Sequence, residues 1–102
     1  MCSFKIIEKV PSPETYMYLR EASGMPPRTI EGAKKGLGNE LYSVLLVHEE
    51  DNEIIGMGRL VGDGGTVCQI CDMAVIVKFQ NKGGGTMIMN ALMEFIEEKK
   101  NI

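Results

Sequence analysis

The sequence predicts an α+β fold in which consecutive antiparallel strands are packed by helices. Strand-like apolar runs follow one another in the middle of the chain, two capped helices precede them, and a long amphipathic helix follows a glycine-rich turn. The predicted order is β-α-α-β-β-β-α, a layered α+β arrangement. No repeat or low-complexity linker interrupts the chain, so residues 1–102 are expected to form a single domain.

One strand and two short helices are predicted before the central strands. Residues 4–8 form a β-branched and aromatic run, which is typical of a strand. Ser12 precedes a proline and an acidic residue, so it is expected to cap a helix over about 13–22. Thr29 is expected to cap a second helix, which glycines end around residues 36–38.

Three consecutive strands are then predicted, at residues 41–47, 53–61 and 66–77. Branched apolar residues dominate each run, and turn-forming residues separate the runs at 51–52 and 62–65. Connections this short join antiparallel neighbours, so the three strands are expected to form a meander.

The last predicted element is a helix over residues 86–99. Its apolar side chains recur at helical spacing and fall on one face. These side chains are Ile88, Ala91, Leu92, Phe95 and Ile96. A pair of lysines follows two glutamates at its end, where positive charge suits the negative end of the helix dipole.

Composition places the chain among ordinary globular proteins and argues against two kinds of partner. Apolar residues make up 44% and charged residues 25% of the 102 residues. A net charge of −3 argues against nucleic acid, because phosphate backbones require clustered lysine and arginine. No apolar run reaches the length of a membrane span, so no membrane partner is expected. Three cysteines without a signal peptide indicate free thiols and a cytoplasmic location.

Gly83, Gly84 and Gly85 join the third central strand to the last helix, and this turn carries the main functional signal. Glycine admits backbone conformations closed to other residues and lets a ligand approach the main chain. The first N–H groups of a helix lack internal partners and lie at the positive end of its dipole. Such a turn is suited to hold a phosphate group, and Lys78 and Lys82 add positive charge nearby.

The spacing Gln80-x-x-Gly83-x-Gly85 resembles the Gln/Arg-x-x-Gly-x-Gly/Ala signature of the GNAT superfamily of N-acetyltransferases. The preceding run Asp72-Met73-Ala74-Val75 is similar to the central strand of that family, and the predicted order of elements also fits. The resemblance implies the GNAT-like (acyl-CoA N-acyltransferase) fold. The chain is identified as a C-terminally truncated member, which ends before the family's usual C-terminal strands and helix.

The resemblance implies transfer of an acetyl group from acetyl-coenzyme A, the cosubstrate, to a primary amine of a small-molecule or peptide acceptor. Main-chain groups of the central strand would pair with the acetyl-pantetheine arm and polarise the thioester carbonyl, while the turn would hold the pyrophosphate. The implied cofactor-binding residues are Met73, Ala74, Val75, Gln80, Asn81, Lys82, Gly83, Gly84, Gly85 and Thr86. No metal is implied.

The resemblance leaves the catalytic residues unassigned. The position at which some members have a glutamate base falls near Gln69, which cannot accept a proton. Glu31, Asp72 or a chain of water molecules remain as alternatives. Two other functions also stay open: a catalytically silent module that binds coenzyme A weakly or only self-associates, and a small interaction module without a ligand.

Self-association is a further expectation. Residues 66–77 would form a long apolar edge, and such edges recruit other strands. Methionines outside the core stripe add apolar surface to residues 86–99. A homodimer through the strand or the helix is therefore expected.

Several other features are interpreted as structural. Cys68 and Cys71 lie three apart in a strand, so they should face opposite sides and form neither a metal site nor a disulfide. The run Gly56-Met57-Gly58 is similar to a dinucleotide-binding motif, but a strand continues after it. His48 is expected to be solvated at a strand end. Arg28 is expected in an exposed loop, from which it could hold an acidic group of an acceptor.

Overall fold

The computed structural model describes residues 3–99, and the predicted elements are present in the predicted order. The strands are β1 (Phe4–Glu8), β2 (Tyr42–His48), β3 (Glu53–Gly62) and β4 (Cys68–Val75). The helices are α1 (Pro13–Ala22), α2 (Ile30–Gly36) and α3 (Gly84–Lys99), and a 3-10 helix spans Val77–Phe79. Within the described range, no helix combines the length and the apolar character that crossing a membrane requires.

All four strands form one antiparallel sheet in the order β1-β2-β3-β4. The three central strands form the predicted meander, and β1 extends it on the side of β2. Phe4 pairs with His48 and Ile7 with Leu45. The sequence prediction did not place β1 in the sheet, because two helices separate it from β2 along the chain.

The helices lie on both faces of the sheet, with α1 and α2 on one face and α3 on the other. Neighbouring residues of a strand point to opposite faces, and β3 contacts both helical layers. A Cβ at Gly58 would lie 2.4 Å from Cγ2 of Ile88 in α3. The next side chain, Arg59, reaches the carbonyl of Gly36 in α2 at 3.3 Å. The apolar core therefore has two layers, one on each face.

The glycines of the Gly56-Met57-Gly58 run allow α3 to pack closely on β3. A Cβ at Gly56 would lie 2.8 Å from the carbonyl oxygen of Ala74 and 3.3 Å from Cδ1 of Ile88. The chain continues beyond the run as β3, which ends at Gly62. The run therefore opens no helix, and its interpretation as structural rather than dinucleotide-binding agrees with the fold.

The helix caps follow the sequence prediction. Oγ of Ser12 accepts a hydrogen bond from the Thr15 N–H at 3.1 Å, at the start of α1. Oγ1 of Thr29 accepts from the Gly32 N–H at 3.0 Å, at the start of α2. Helix α3 begins at Gly84, slightly earlier than predicted.

The third central strand is shorter than the predicted range 66–77, because ordered turns lie at both of its ends. Before it, Oδ1 of Asp63 accepts hydrogen bonds from the three N–H groups of residues 65–67, at 2.8 to 3.0 Å. After it, the chain turns into the 3-10 helix. The strand itself covers only Cys68–Val75.

Candidate functional site

The three consecutive glycines before and within the first turn of α3 have different roles. Gly83 has a φ of +92°, which residues with side chains rarely adopt. Gly84 is buried against β2, where a Cβ would lie 2.5 Å from Cδ2 of Leu46. At Gly85 a Cβ would meet no heavy atom within 4 Å. The first two glycines shape and pack the turn, and the third leaves room beside the helix start for a ligand.

Backbone N–H groups of the turn and of the first residues of α3 are available as hydrogen-bond donors. Within residues 3–99, the N–H groups of residues 81–86 have no hydrogen-bond acceptor. The first bond of α3 runs from the Met87 N–H to the Gly83 carbonyl at 3.2 Å. No acidic side chain lies in the first turn of this 16-residue helix. The positive end of the helix dipole therefore coincides with a row of unpaired donors.

Gln80 connects this turn to the end of β4. Its side-chain Nε2 donates to the carbonyl oxygen of Val75 at 2.8 Å and approaches the carbonyl oxygen of Ser23, beyond α1, at 3.4 Å. The glutamine of the sequence signature thus braces the turn against the strand. A direct contact between Gln80 and a cofactor stays a prediction.

The outer edge of β4 carries backbone groups that face away from the sheet. Ile76, directly after the strand, donates its N–H to the carbonyl of Ile55 at 2.9 Å, toward β3. Backbone groups alternate in direction along an extended chain, so those of Val75 point to the opposite, outer edge. The Gln80 side chain meets the Val75 carbonyl there, and the Val75 N–H faces the same edge. This edge is the predicted place for the pantetheine arm.

A β-bulge interrupts β4 shortly before Val75. Arg59 pairs with Cys71 and Met57 with Ala74, so two residues of β4, the first of them Asp72, lie opposite one residue of β3. Asp72 has a φ of +54°, a left-handed conformation that is uncommon outside glycine. Cys71 and Asp72 both line the cavity on the α1 and α2 face, although they are neighbours in the strand.

Asp72 is the centre of a buried group of four charges, Arg20, Glu40, Arg59 and Asp72, which we call the Asp72 network. Its two carboxylate oxygens each lie 2.7 Å from a guanidinium nitrogen, one of Arg20 and one of Arg59. Nε of Arg59 also lies 3.0 Å from Oε1 of Glu40. Arg20 donates from Nε and Nη2 to the Pro26 carbonyl at 3.0 and 2.8 Å. Sequence reasoning missed this network. The signal that could have revealed it is the position of two charged residues, Arg59 and Asp72, inside strands that are otherwise largely apolar.

A cavity of about 610 Å³ opens beside the Asp72 network, between α2 and the bulge. Tyr16, Arg28, Gly36, Cys71 and Asp72 are among its lining residues. Burial raises the pKa of the Cys71 thiol and of the Tyr16 hydroxyl, and the charge of Asp72 raises both further. Both groups are therefore protonated at neutral pH. Arg28, expected in an exposed loop, is exposed and lies on the cavity rim.

The proposed catalytic bases have different surroundings. Asp72 lines the cavity, but both of its carboxylate oxygens are engaged by ion pairs, one with Arg20 and one with Arg59. Glu31 is exposed on α2 and is not part of the cavity lining. Gln69 is exposed on β4. Among the described residues, the cavity lining thus offers no carboxylate free to accept a proton.

His48 is not solvated, which corrects the sequence prediction. Its side chain is 12% exposed, and its ring packs against those of Phe4 and Phe79, at centroid distances of 6.1 and 4.6 Å. Its Nδ1 lies 2.9 Å from Oδ1 of Asp51, and Nε2 contacts a carboxylate oxygen of Glu50. Sequence reasoning could not see that β1 and the 3-10 helix would enclose this ring.

Cys68 and Cys71 are free thiols. Regular pairing runs from Cys68, opposite Gly62, to Cys71, opposite Arg59, so the two side chains face opposite sides of the sheet as predicted. In the part of the chain that the structure describes, no group of histidine, cysteine and acidic side chains is arranged to hold a metal ion.

The sequence profile of the acetyltransferase (GNAT) family matches residues 9–102. A protein of unknown function from meticillin-resistant Staphylococcus aureus, described as a probable acetyltransferase, has a similar structure with a TM-score of 0.88 and 43% identity. That match covers 94% of this chain and 71% of the other. A GNAT-family acetyltransferase from Streptococcus pneumoniae is 28% identical with a TM-score of 0.75, covering 96% and 70% of the two chains.

A third similar structure is the ribosomal-protein-S18-alanine N-acetyltransferase from Escherichia coli. Its TM-score is 0.80 at 12% identity, with 97% of this chain and 63% of that chain covered. At this identity the likeness shows the fold alone. No curated protein sequence matches the chain.

Proposed function

The chain belongs to the acetyltransferase (GNAT) family, and on this premise we propose that residues 1–102 act as one domain in the transfer of an acetyl group from acetyl-coenzyme A to a primary amine. The observation that carries the proposal is the row of unpaired N–H donors at residues 81–86, at the start of α3. Donors fixed in this way stabilise phosphate oxygens without needing a dedicated side chain.

The proposed cofactor site runs from this turn along the outer edge of β4. Asn81, Lys82 and the three glycines that follow, with Thr86, would hold the pyrophosphate through their N–H groups. Met73, Ala74 and Val75 would accompany the pantetheine arm as a neighbouring strand does. The open edge of β4 supports this part of the proposal, because Val75 directs its backbone groups there. Bound acetyl-coenzyme A would supply the thioester.

We place the acceptor in the cavity beside the Asp72 network. The cavity opens on the α1 and α2 face of β4, so a small-molecule or peptide amine there would lie next to the strand that holds the thioester. Arg28 on its rim would favour an acceptor with an acidic group. The amine must lose a proton during its attack, and we assign that proton to water, because arginines hold the oxygens of Asp72.

A homodimer and a cytoplasmic location complete the proposal. Val67 and Val77, which flank β4, are 59% and 62% exposed, and Met93 on α3 is 48% exposed. Apolar groups at an open strand edge or on a helix face support self-association through residues 66–77 or 86–99, and only the second would leave the whole edge of β4 open to the pantetheine arm. Sedimentation velocity at high concentration tests it: a concentration-dependent dimer is expected, and a monodisperse monomer would contradict it.

The proposed cytoplasmic location is supported by Cys68 and Cys71, which are free thiols and fit a reducing compartment.

The cofactor site is tested by replacing Gly85 with glutamate. The new carboxylate enters open space at the positive end of the helix, so the melting temperature should hold or rise. It should also repel a bound pyrophosphate and weaken binding of coenzyme A by about tenfold or more in calorimetric titration. The matched control is Asn90→Glu, which adds the same charge at an exposed position of α3 away from the turn. Equal affinities of the two variants would contradict the site.

Turnover is tested by release of free thiol from acetyl-coenzyme A in the presence of a panel of amines. Amine-dependent release is expected, with the acetylated amine identified by mass spectrometry. Binding of coenzyme A without amine-dependent release would identify a catalytically silent module. Absence of binding would leave an interaction module without a ligand.

A further inference from the structure

The residue at the bulge of β4 is an aspartate in a conformation that glycine adopts at lower cost. Asp72 has a φ of +54°, and its side chain is only 8% exposed. A buried carboxylate needs specific partners, because its charge is unfavourable there. Aspartate tolerates this backbone conformation, so it is the burial of its charge that requires the partners.

Those partners come from both elements that pack against the bulge on this face. Arg20 on α1 pairs with one carboxylate oxygen, and Arg59 on β3 with the other, each at 2.7 Å. Arg20 is in turn fixed by two bonds to the Pro26 carbonyl after α1. Arg59 is fixed by Glu40 at 3.0 Å and by the Gly36 carbonyl at 3.3 Å. The carboxylate of Asp72 is therefore held from two directions by side chains that are themselves anchored.

The bulge decides which backbone groups of β4 face outward. Before it, Cys71 pairs with Arg59; after it, Ala74 pairs with Met57, so the strand has gained one residue relative to β3. Side chains and backbone groups alternate with a period of two, and a shift by one residue reverses both. With the bulge, Val75 directs its N–H to the open edge. In a regular strand the same group would point toward β3.

We propose that Asp72 is a positioning residue: its two ion pairs hold the bulge of β4 in the shape that turns the Val75 N–H toward the pantetheine arm and the acetyl thioester. The proposal rests on the proposed function, because it assumes that the cofactor lies along this edge. It assigns Asp72 no contact with the reacting atoms. This role differs from that of a catalytic base, because both carboxylate oxygens of Asp72 are already engaged by arginines.

The test compares two ligands that are expected to contact different parts of the proposed site. In the proposed site, acetyl-coenzyme A would contact both the turn and the strand, whereas 3′-phosphoadenosine 5′-diphosphate lacks the pantetheine arm and would contact the turn alone. Asp72→Asn removes the charge but keeps a side chain that tolerates the left-handed conformation. Calorimetry should show about tenfold weaker binding of acetyl-coenzyme A and less than about twofold change for the nucleotide. The control is Glu94→Gln, an exposed carboxylate on α3 across the sheet, which should change neither.

A merely structural role of Asp72 would weaken both ligands alike, and that result would overturn the proposal. Unchanged binding of both ligands would also overturn it. If wild-type protein binds neither ligand, the proposed function falls and this inference falls with it. Binding of both with an unchanged ratio in Asp72→Asn removes only this inference.

A second measurement uses only the wild-type protein and therefore does not depend on whether a variant folds. Backbone amide signals of residues 72–75 are compared by nuclear magnetic resonance with acetyl-coenzyme A and with the nucleotide bound. The expected result is a set of large differences at these residues, because in the proposed site only acetyl-coenzyme A would reach the strand edge. Identical signals in the two complexes would overturn the assignment of this edge and of Asp72.

Discussion

The side-chain amide of Gln80 donates to the backbone carbonyl of Val75 at 2.8 Å, and this bond joins the last residue of β4 to the turn that opens α3. The two proposed parts of the cofactor site, strand edge and phosphate turn, are therefore mechanically connected. The same amide approaches the carbonyl of Ser23 at 3.4 Å, so the end of α1 meets them as well.

Replacing Gln80 with alanine should loosen the turn. The lost hydrogen bond is worth about 0.5–1.5 kcal/mol in the free energy of unfolding, toward the lower end because Gln80 is exposed. Affinity for coenzyme A should fall as well, since the donors of the turn lose their brace. Denaturant unfolding and calorimetry measure the two effects, with Gln69→Ala, another exposed glutamine, as the control. If Gln80→Ala and Gln69→Ala give the same stability and the same affinity for coenzyme A, the hydrogen bond of Gln80 does not support the turn.

Replacing Gly58 with alanine should destabilise the fold through overpacking. The added Cβ would lie 2.4 Å from Cγ2 of Ile88 and 3.2 Å from Cδ1 of Leu92, and both side chains are fully buried. We expect a loss of about 1–3 kcal/mol in the free energy of unfolding. Gly36→Ala is the control, because a Cβ there meets nothing within 4 Å. A Gly58→Ala protein as stable as this control would contradict the close packing of α3 on β3.

Asp63 should make stability depend on acid pH. Hydrogen bonds from the backbone of Gly65 and Val67, and from the hydroxyl and backbone of Thr66, hold the pKa of its carboxyl far below the ordinary 3.8. The folded pKa is depressed, so the stabilisation is present above the unfolded pKa and is lost as pH falls below it. The stability difference between wild type and Asp63→Asn should therefore shrink between about pH 5 and about pH 2. Denaturant unfolding at several pH values measures this, and a difference independent of pH would contradict it.

Cys71 should react slowly with alkylating reagents. Burial, followed by the charge of Asp72, raises the pKa of its thiol, so little thiolate is present at neutral pH. Mass spectrometry after brief treatment with iodoacetamide should find Cys71 mostly unmodified in native protein and modified after denaturation. Alkylation of native Cys71 as fast as in the unfolded chain would show that the thiol is not shielded.

Features set by local sequence were predictable. The caps at Ser12 and Thr29 and the glycine turn before α3 depend on residues a few positions apart. Even so, sequence alone could not separate the tasks of the consecutive glycines. The buried contact between Gly84 and Leu46 joins segments that are distant along the chain.

Features set by tertiary contacts were not predictable. The bulge at Asp72 adds one residue to β4 relative to β3, and the Asp72 carboxylate pairs with arginines from α1 and β3. The enclosure of His48 needs β1 and the 3-10 helix, which join it only in the folded chain. In each case the contacts join residues that are far apart along the chain, and the periodicity of the sequence carries no information about such contacts.

The proposed cofactor site depends on the unpaired N–H donors at residues 81–86, and titration of isotope-labelled protein with coenzyme A tests them most directly. Their amide signals should move more than those of any other segment and saturate with the calorimetric affinity. Signals of residues 81–86 that stay unchanged while the protein is saturated with coenzyme A, or a protein that does not bind it, would contradict the proposed cofactor site.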